Sequence, residues 1–338
     1  MTFTLSWLLS AAGSQLWGLL NTLQIIVHVA MFDQLKFPAN SMLVIEVMIE
    51  IANFDVIPTE FIDEAMHYWP ETEPYSVNFE SAGTESTYFL ANIGFVMYPI
   101  YYHVLIALIH ACIHKMKNKN KYIGKLHTKI GSYLYWEGFN RFYMEIFLDV
   151  AFLAILNLHT VDWGLSFLSV QFSNALSVIF LAVAVGTLVF YAVGYFRQSR
   201  ELRAEKFGEE FSPLLEGAKF GRSESRWYII LLPVFFFVKR LVLIAILIFA
   251  SHCIWVQIAL LNSMALATII FTLWYMPWES RQDNYLEAFN EATILLLTYH
   301  LWSFANIVRE PETLYDIGYV FVGATLANIL VHLVLMVY

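Results

Sequence analysis

"FNRFYMEIFLDVAFLAILNLH", residues 139–159, combines two features that recur along the chain. The stretch is long enough for an α-helix to cross the roughly 30 Å hydrocarbon core of a bilayer, because a helix rises about 1.5 Å per residue. Within it Arg141, Glu145 and Asp149 follow one another at intervals of four, so they share one face of the helix. The stretch therefore predicts a membrane-spanning helix that carries charged groups into a helical bundle.

The composition of the whole chain agrees with this interpretation. Of its 338 residues 59% are hydrophobic and 14% are charged, whereas soluble domains have about a quarter of their residues charged. We predict an all-α fold, a polytopic transmembrane helical bundle of about nine spans that forms a single membrane domain over residues 1–338. The predicted spans are 10–32, 40–57, 87–114, 139–160, 165–196, 227–252, 254–276, 285–307 and 314–338. The second is short and acidic, so it either spans or re-enters the membrane.

The charges of the connecting segments predict the orientation. Residues 115–129 hold six lysines and no acid, residues 197–226 hold seven Lys or Arg among six acids, and residues 55–85 hold eight acids and no base. The positive-inside rule places loops 115–138 and 197–226 in the cytosol and the acidic segment 58–86 on the extracellular or luminal side. The N-terminus is then outside and the C-terminus cytosolic. Residues 122–139 are typical of an amphipathic interfacial helix.

Charged residues recur inside three further spans. Each charge at the bilayer centre costs at least about 2.5–3.5 kcal/mol, so these side chains should face the bundle interior. The candidates for an ion pathway or a cation-binding site are Glu46, Glu50, Glu145, Asp149, Glu287 and Glu291, with Arg141, Lys239 and Arg240 as charge partners. Either the acids line a hydrated path or a divalent-cation site, or they are neutralised by the bases and by water at helix ends. We expect Lys239 or Arg240 to neutralise a carboxylate of the second or fourth span.

Three histidines form a second stripe of polar residues. His103, His110 and His114 share one face of the third span, at separations of seven and four. Imidazoles at this spacing can bind a transition metal, but no further ligand is evident in the sequence. Proton sensing and hydrogen-bonded packing are the alternatives for this stripe. The two cysteines, Cys112 and Cys253, lie in apolar runs and predict no disulfide framework.

Several segments also resemble a known family. The runs "LWGLLNTLQIIVHVAMFDQLKFPANSM" (16–42), "IANFDVIPTEFIDE" (51–64) and "RFYMEIFLDVAFLAILNL" (141–158) resemble the C-terminal membrane domain of cysteine-rich-repeat surface proteins of ciliated protists. Those domains are loosely similar to the TRP-like multi-span family of fungi, whose members are discussed as calcium-related channels or transporters. The resemblance implies a multi-span topology and a location at the cell surface.

We therefore predict a multi-pass membrane protein that is cation channel-like or cation-sensing. The alternative is a non-catalytic membrane anchor or structural subunit of a larger surface or organellar assembly. No motif of a soluble enzyme occurs in the sequence, so we expect no catalytic activity. Ca²⁺ or another divalent cation is the bound metal that the carboxylates favour. The expected partners are the lipid bilayer, an extracellular cysteine-rich or filamentous protein and a second copy of the chain, with no nucleic acid. The expected location is the plasma membrane, or alternatively an organellar membrane.

Overall fold

The structure, a computed structural model, describes residues 18–53, 74–84, 86–117, 120–132, 134, 138–161, 163–164, 168–198, 218 and 232–337. Over these ranges the chain is helical and contains no β-strand, which confirms the all-α class for the described residues. The helices are α1 (Gly18–Ala30), α2 (Ala39–Asn53), α3 (Val77–Ser81), α4 (Gly94–His114), α5 (Lys121–Ser132), α6 (Gly138–His159), α7 (Leu168–Gln198), α8 (Leu232–Phe249), α9 (Ile254–Tyr275), α10 (Arg281–Trp302) and α11 (Pro311–Val337).

A described helix overlaps each of the nine predicted spans, but the number of spans is not confirmed. Five described helices contain a segment long and apolar enough to cross a bilayer, and these segments are Phe142–His159, Leu168–Val193, Leu232–Phe249, Ile254–Tyr275 and Pro311–Met336. Shorter apolar helical segments occur at Gly18–Ala30, Ala39–Ile49 and His103–His114. Helix α10 has 22 residues, but its first half carries several charged and amide side chains. These apolar helices indicate a membrane protein.

The connecting segments are described only in part. Helix α5 occupies most of the predicted interfacial segment, and its Tyr122 and Leu126 are exposed. From the acidic segment 58–86 the structure describes residues 74–84 and 86, which include α3. The predicted loop 197–226 lies outside the described residues except for Arg197, Gln198 and Ala218.

The core lies where α6, α8 and their neighbours meet. Helix α6 packs against α7 and α8, α9 packs against α8 and α10, and α11 packs against α10 and α2. Phe147 of α6 and Phe237 of α8 are fully buried, and their rings meet edge to face with centroids 4.6 Å apart. Such aromatic pairs add about 0.5–1.5 kcal/mol beyond the area that they bury.

Buried polar side chains join the helices at defined points. The Asn157 amide donates to Asn174 Oδ1 of α7 at 2.8 Å, and Asn157 Oδ1 accepts from the backbone N–H of Phe89 at 2.9 Å. The Ser173 hydroxyl donates to the same Asn157 oxygen at 3.0 Å. Because an unpaired polar group in hydrocarbon is costly, these bonds determine how α6, α7 and the segment before α4 fit together.

Helix α10 begins at a side-chain cap and ends at a sharp change of chain direction. Ser280 caps its start by accepting from the backbone N–H groups of Gln282 and Asp283. At its other end a π-helical turn over Ser303–Ile307 contains Asn306 with a φ of 64°. Asparagine tolerates this left-handed conformation better than most residues, so the helix stops there and α11 can return beside α10.

Candidate functional site

A cavity of about 320 Å³ lies between α1, α8, α9 and α10. Most of its wall is apolar, with Phe235, Phe236 and Val242 from α8 among the contributors. Four charged side chains also line it: Lys239, Arg240, Glu287 and Glu291. Ionisable groups inside a membrane bundle mark ion and substrate paths more often than they serve packing alone. This cavity is therefore the candidate functional site.

Lys239 of α8 and Glu291 of α10 form an ion pair across the cavity wall. The Lys239 ammonium donates to Glu291 Oε1, and the Glu291 residue is 2% exposed. The second carboxylate oxygen, Oε2, is buried without a hydrogen-bond partner in the described part of the chain. The sequence predicts that Lys239 or Arg240 neutralises a carboxylate of the second or fourth span. For Lys239 this prediction is wrong, because its ion-pair partner Glu291 belongs to α10, in the eighth predicted span.

Arg240 is buried beside this pair but has a different set of contacts. Its Nη2 donates to Asn21 Oδ1 of α1 at 2.6 Å, and its Nη1 donates to the backbone carbonyl of Phe236 at 3.4 Å. Its guanidinium carbon lies 3.5 Å above the centre of the Phe236 ring, a cation–π contact. Arg240 also interacts electrostatically with Asp149, Glu287 and Glu291. Among the described residues Arg240 forms no direct ion pair with a carboxylate, so the expected neutralisation of a fourth-span acid by Arg240 stays a prediction.

Glu287 lies one turn before Glu291 on the cavity wall. It interacts electrostatically with Glu291, Lys239 and Arg240, yet no described residue forms an ion pair with it within 4.0 Å. Glu287 and Glu291 are four residues apart, so their carboxylates share one face of α10. Two carboxylates on one wall supply oxygen ligands of the type that hard cations prefer.

Asp149 lies on the other side of Arg240 and contacts α1. Its Oδ1 is 3.4 Å from Nε2 of His28, a residue that is 2% exposed. Glu145 lies one turn earlier, and its backbone carbonyl accepts from the Gln24 side chain at 3.0 Å. Asp149 and Glu145 do not line the cavity, so the six predicted acids do not all converge on one site.

The described side chains of the second predicted span do not line this cavity. Glu46 is exposed on the outer face of α2, next to the exposed Leu43 and Val47. The side chains of Glu50 and Arg141 lie outside the described residues. Sequence periodicity correctly puts Glu46 on a helix, but it does not determine which side of that helix meets the bundle.

A cluster of histidines forms at the junction of α4 and α5. The rings of His110 and His127 stack with centroids 4.2 Å apart, and His114 Nδ1 lies 3.0 Å from His127 Nε2. Loss of hydration, together with the nearby His110, Lys117 and His114, lowers the pKa of His127. The third predicted member, His103, packs instead near Phe142, with ring centroids 5.8 Å apart. Within the described ranges no group of three His, Cys, Asp or Glu is arranged to hold a metal ion.

Two functional candidates escape the sequence analysis. His127 belongs to the histidine cluster because α5 folds back on α4. In the sequence, the only sign of this role was the position of His127 on a predicted amphipathic helix. His332 of α11 is fully buried, and its Nε2 lies 2.8 Å from Asn290 Oδ1, which also accepts from Asn328 at 3.0 Å. Asn290 also lines the cavity. Gly18 allows α1 to pack closely against Asn290, because a Cβ added at Gly18 would lie 3.1 Å from the Asn290 amide nitrogen.

We find no match to this chain among protein-family models, curated proteins or solved structures. The resemblance to the membrane domain of ciliate surface proteins stays a prediction. Fold and site together indicate a helical membrane protein with a charged cavity inside its bundle.

Proposed function

We propose that this chain is a multi-pass membrane protein that admits cations to the cavity between α1, α8, α9 and α10, as a channel-like or cation-sensing protein. The observation that carries the proposal is Glu287, a carboxylate on the cavity wall without an ion-pair partner among the described residues. Lys239 is engaged by Glu291 and Arg240 by Asn21, so Glu287 is the group best placed to attract a cation. Ca²⁺ or another hard divalent cation suits its oxygen ligands.

The neutral variant Glu287→Gln tests this proposal. Glutamine retains the size of the side chain and removes one charge, so cation flux in liposomes, or divalent-cation affinity, should fall about tenfold, equivalent to roughly 1.4 kcal/mol. Thermal stability in detergent should change little, because Glu287 has no direct ion pair to lose. Glu46→Gln is the matched control, since Glu46 is an exposed acid outside the cavity, and its flux should equal that of the wild type. Unchanged flux in Glu287→Gln would contradict the proposal.

The alternative function is a membrane anchor or structural subunit, supported by the Lys239–Glu291 pair. In that case the buried charges hold helices together, and neutralising Glu287 changes neither flux nor cation binding.

The proposal also includes a plasma-membrane or organellar location, with loops 115–138 and 197–226 in the cytosol. A cysteine-rich or filamentous extracellular protein remains the proposed partner of the acidic segment.

A further inference from the structure

His28 of α1 and Asp149 of α6 form a close, largely buried contact. His28 Nδ1 lies 2.8 Å from the backbone carbonyl of Gln24. A carbonyl oxygen only accepts hydrogen bonds, so Nδ1 must carry hydrogen. The other ring nitrogen, Nε2, faces Asp149 Oδ1 at 3.4 Å and has no other partner among the described residues. If the imidazole were neutral and the carboxylate ionised, Nε2 would be a buried acceptor 3.4 Å from an anionic oxygen, without a donor among the described residues.

The position of the ring is held by its neighbours. His28 meets Phe152 edge to face, with centroids 5.6 Å apart and planes at 90°. The Gln24 side chain donates to the Glu145 carbonyl, which ties α1 to α6 one turn away. The ring is therefore held with Nε2 3.4 Å from Asp149 Oδ1, within ion-pair distance. The Asp149 side chain is 20% exposed, against 2% for His28, so the aspartate is the more accessible member of the pair.

The charges around the pair give a second reason for the proton. Arg240 of α8 interacts electrostatically with Asp149, Glu287 and Glu291. Glu287 in turn interacts electrostatically with Glu291 and Lys239. On α6 itself, Glu145 lies one turn before Asp149 and has interactions of its own. With one proton on the His28–Asp149 pair, that pair is neutral and adds no further anion to a group in which Glu145, Glu287 and Glu291 already outnumber Lys239 and Arg240. Without this proton Asp149 adds one more negative charge, which is costly inside a membrane.

We propose that His28 and Asp149 form a proton-binding site that holds a single proton between Nε2 and Oδ1. The proton resides either on the imidazole, as an imidazolium facing a carboxylate, or on the carboxyl group, which then donates to Nε2. Both forms contain the same atoms and the same total charge. The site is separate from the cavity and is linked to it through Arg240, which lines the cavity and interacts with Asp149. The inference does not depend on cation passage.

Spectroscopy of the full chain in lipid nanodiscs tests the site without any flux measurement. Infrared spectra report protonated carboxyl groups, and ¹⁵N NMR of histidine-labelled protein separates imidazolium from neutral rings. We expect Asp149→Asn to remove one such signal, because the asparagine amide can donate to Nε2 and leaves the imidazole neutral. The exposed-acid control Glu46→Gln should keep every signal.

A second variant, His28→Asn, keeps the test decisive if Asp149→Asn does not fold. It should remove the imidazolium signal or shift the protonated-carboxyl band. The proposal is overturned if wild-type His28 is neutral and no protonated-carboxyl band is lost or shifted in either variant. A failure of the cation proposal would appear as unchanged flux in Glu287→Gln and would leave these spectra unchanged.

Discussion

Lys239 and Arg240 are neighbours in sequence that enter different surroundings. Successive helical side chains point about 100° apart, so Lys239 reaches Glu291 of α10 while Arg240 reaches Asn21 of α1. Each base therefore links α8 to a different helix. A buried pair is weak evidence for stability, because desolvation offsets much of the attraction, but removing one partner strands the other charge.

The Lys239–Glu291 pair can be tested by comparing a single with a double variant. Glu291→Gln should lower the free energy of unfolding by about 3 kcal/mol, since it removes the ion-pair partner of the Lys239 ammonium. Lys239→Met combined with Glu291→Leu should restore most of that loss, because no isolated charge remains. The measurement is thermal or denaturant unfolding in detergent micelles, with Glu46→Gln as the exposed control. If the double variant is no more stable than Glu291→Gln, the two side chains do not act as a pair.

At the scale of elements, α2 and α11 illustrate how small residues determine helix spacing. A Cβ added to Gly318 would lie 2.8 Å from Pro38 Cγ and would overlap the side chain of Asn40. Asn40 cannot turn away freely, because its amide donates to the Tyr315 carbonyl at 2.9 Å. Proline is rigid as well, so the contact between the start of α2 and α11 depends on the missing side chain. This close approach is the membrane-helix pattern of small residues at an interface.

Gly318→Ala should therefore destabilise the protein. Overpacking of a tight contact costs about 1–3 kcal/mol, and the loss should appear as a lower unfolding temperature in detergent. Gly323→Ala is the matched control on the same helix, where an added Cβ meets nothing within 4 Å. Alanine favours a helix over glycine by about 1 kcal/mol, so the control should be neutral or stabilising. Equal melting temperatures for the two variants would show that α2 does not pack closely on α11.

At the scale of the whole molecule, the sequence predicts how the chain is oriented in the membrane. The lysine-rich segment 115–129 and the acidic segment 55–85 are predicted on opposite sides. The structure describes parts of both, and Glu80 and Lys125 are exposed within them. These two positions allow the sides to be compared directly.

Cysteine labelling of intact cells tests this orientation. The native Cys112 and Cys253 are exposed, so both are first replaced by serine. A membrane-impermeant maleimide should then label Glu80→Cys in intact cells, and Lys125→Cys only after permeabilisation. The serine-only protein is the control for background. Equal labelling of both positions in intact cells would refute the predicted topology.

The all-α class could be predicted from the sequence, because the length and the helical spacing of apolar runs are properties of the local chain. The sequence also predicts that charges such as Lys239, Arg240, Glu287 and Glu291 lie within apolar helices. The tertiary structure alone decided their partners: Glu291 for Lys239, His28 for Asp149, and an exposed position for Glu46. Periodicity specifies which residues share a face, whereas the order and rotation of packed helices depend on contacts between residues far apart in sequence.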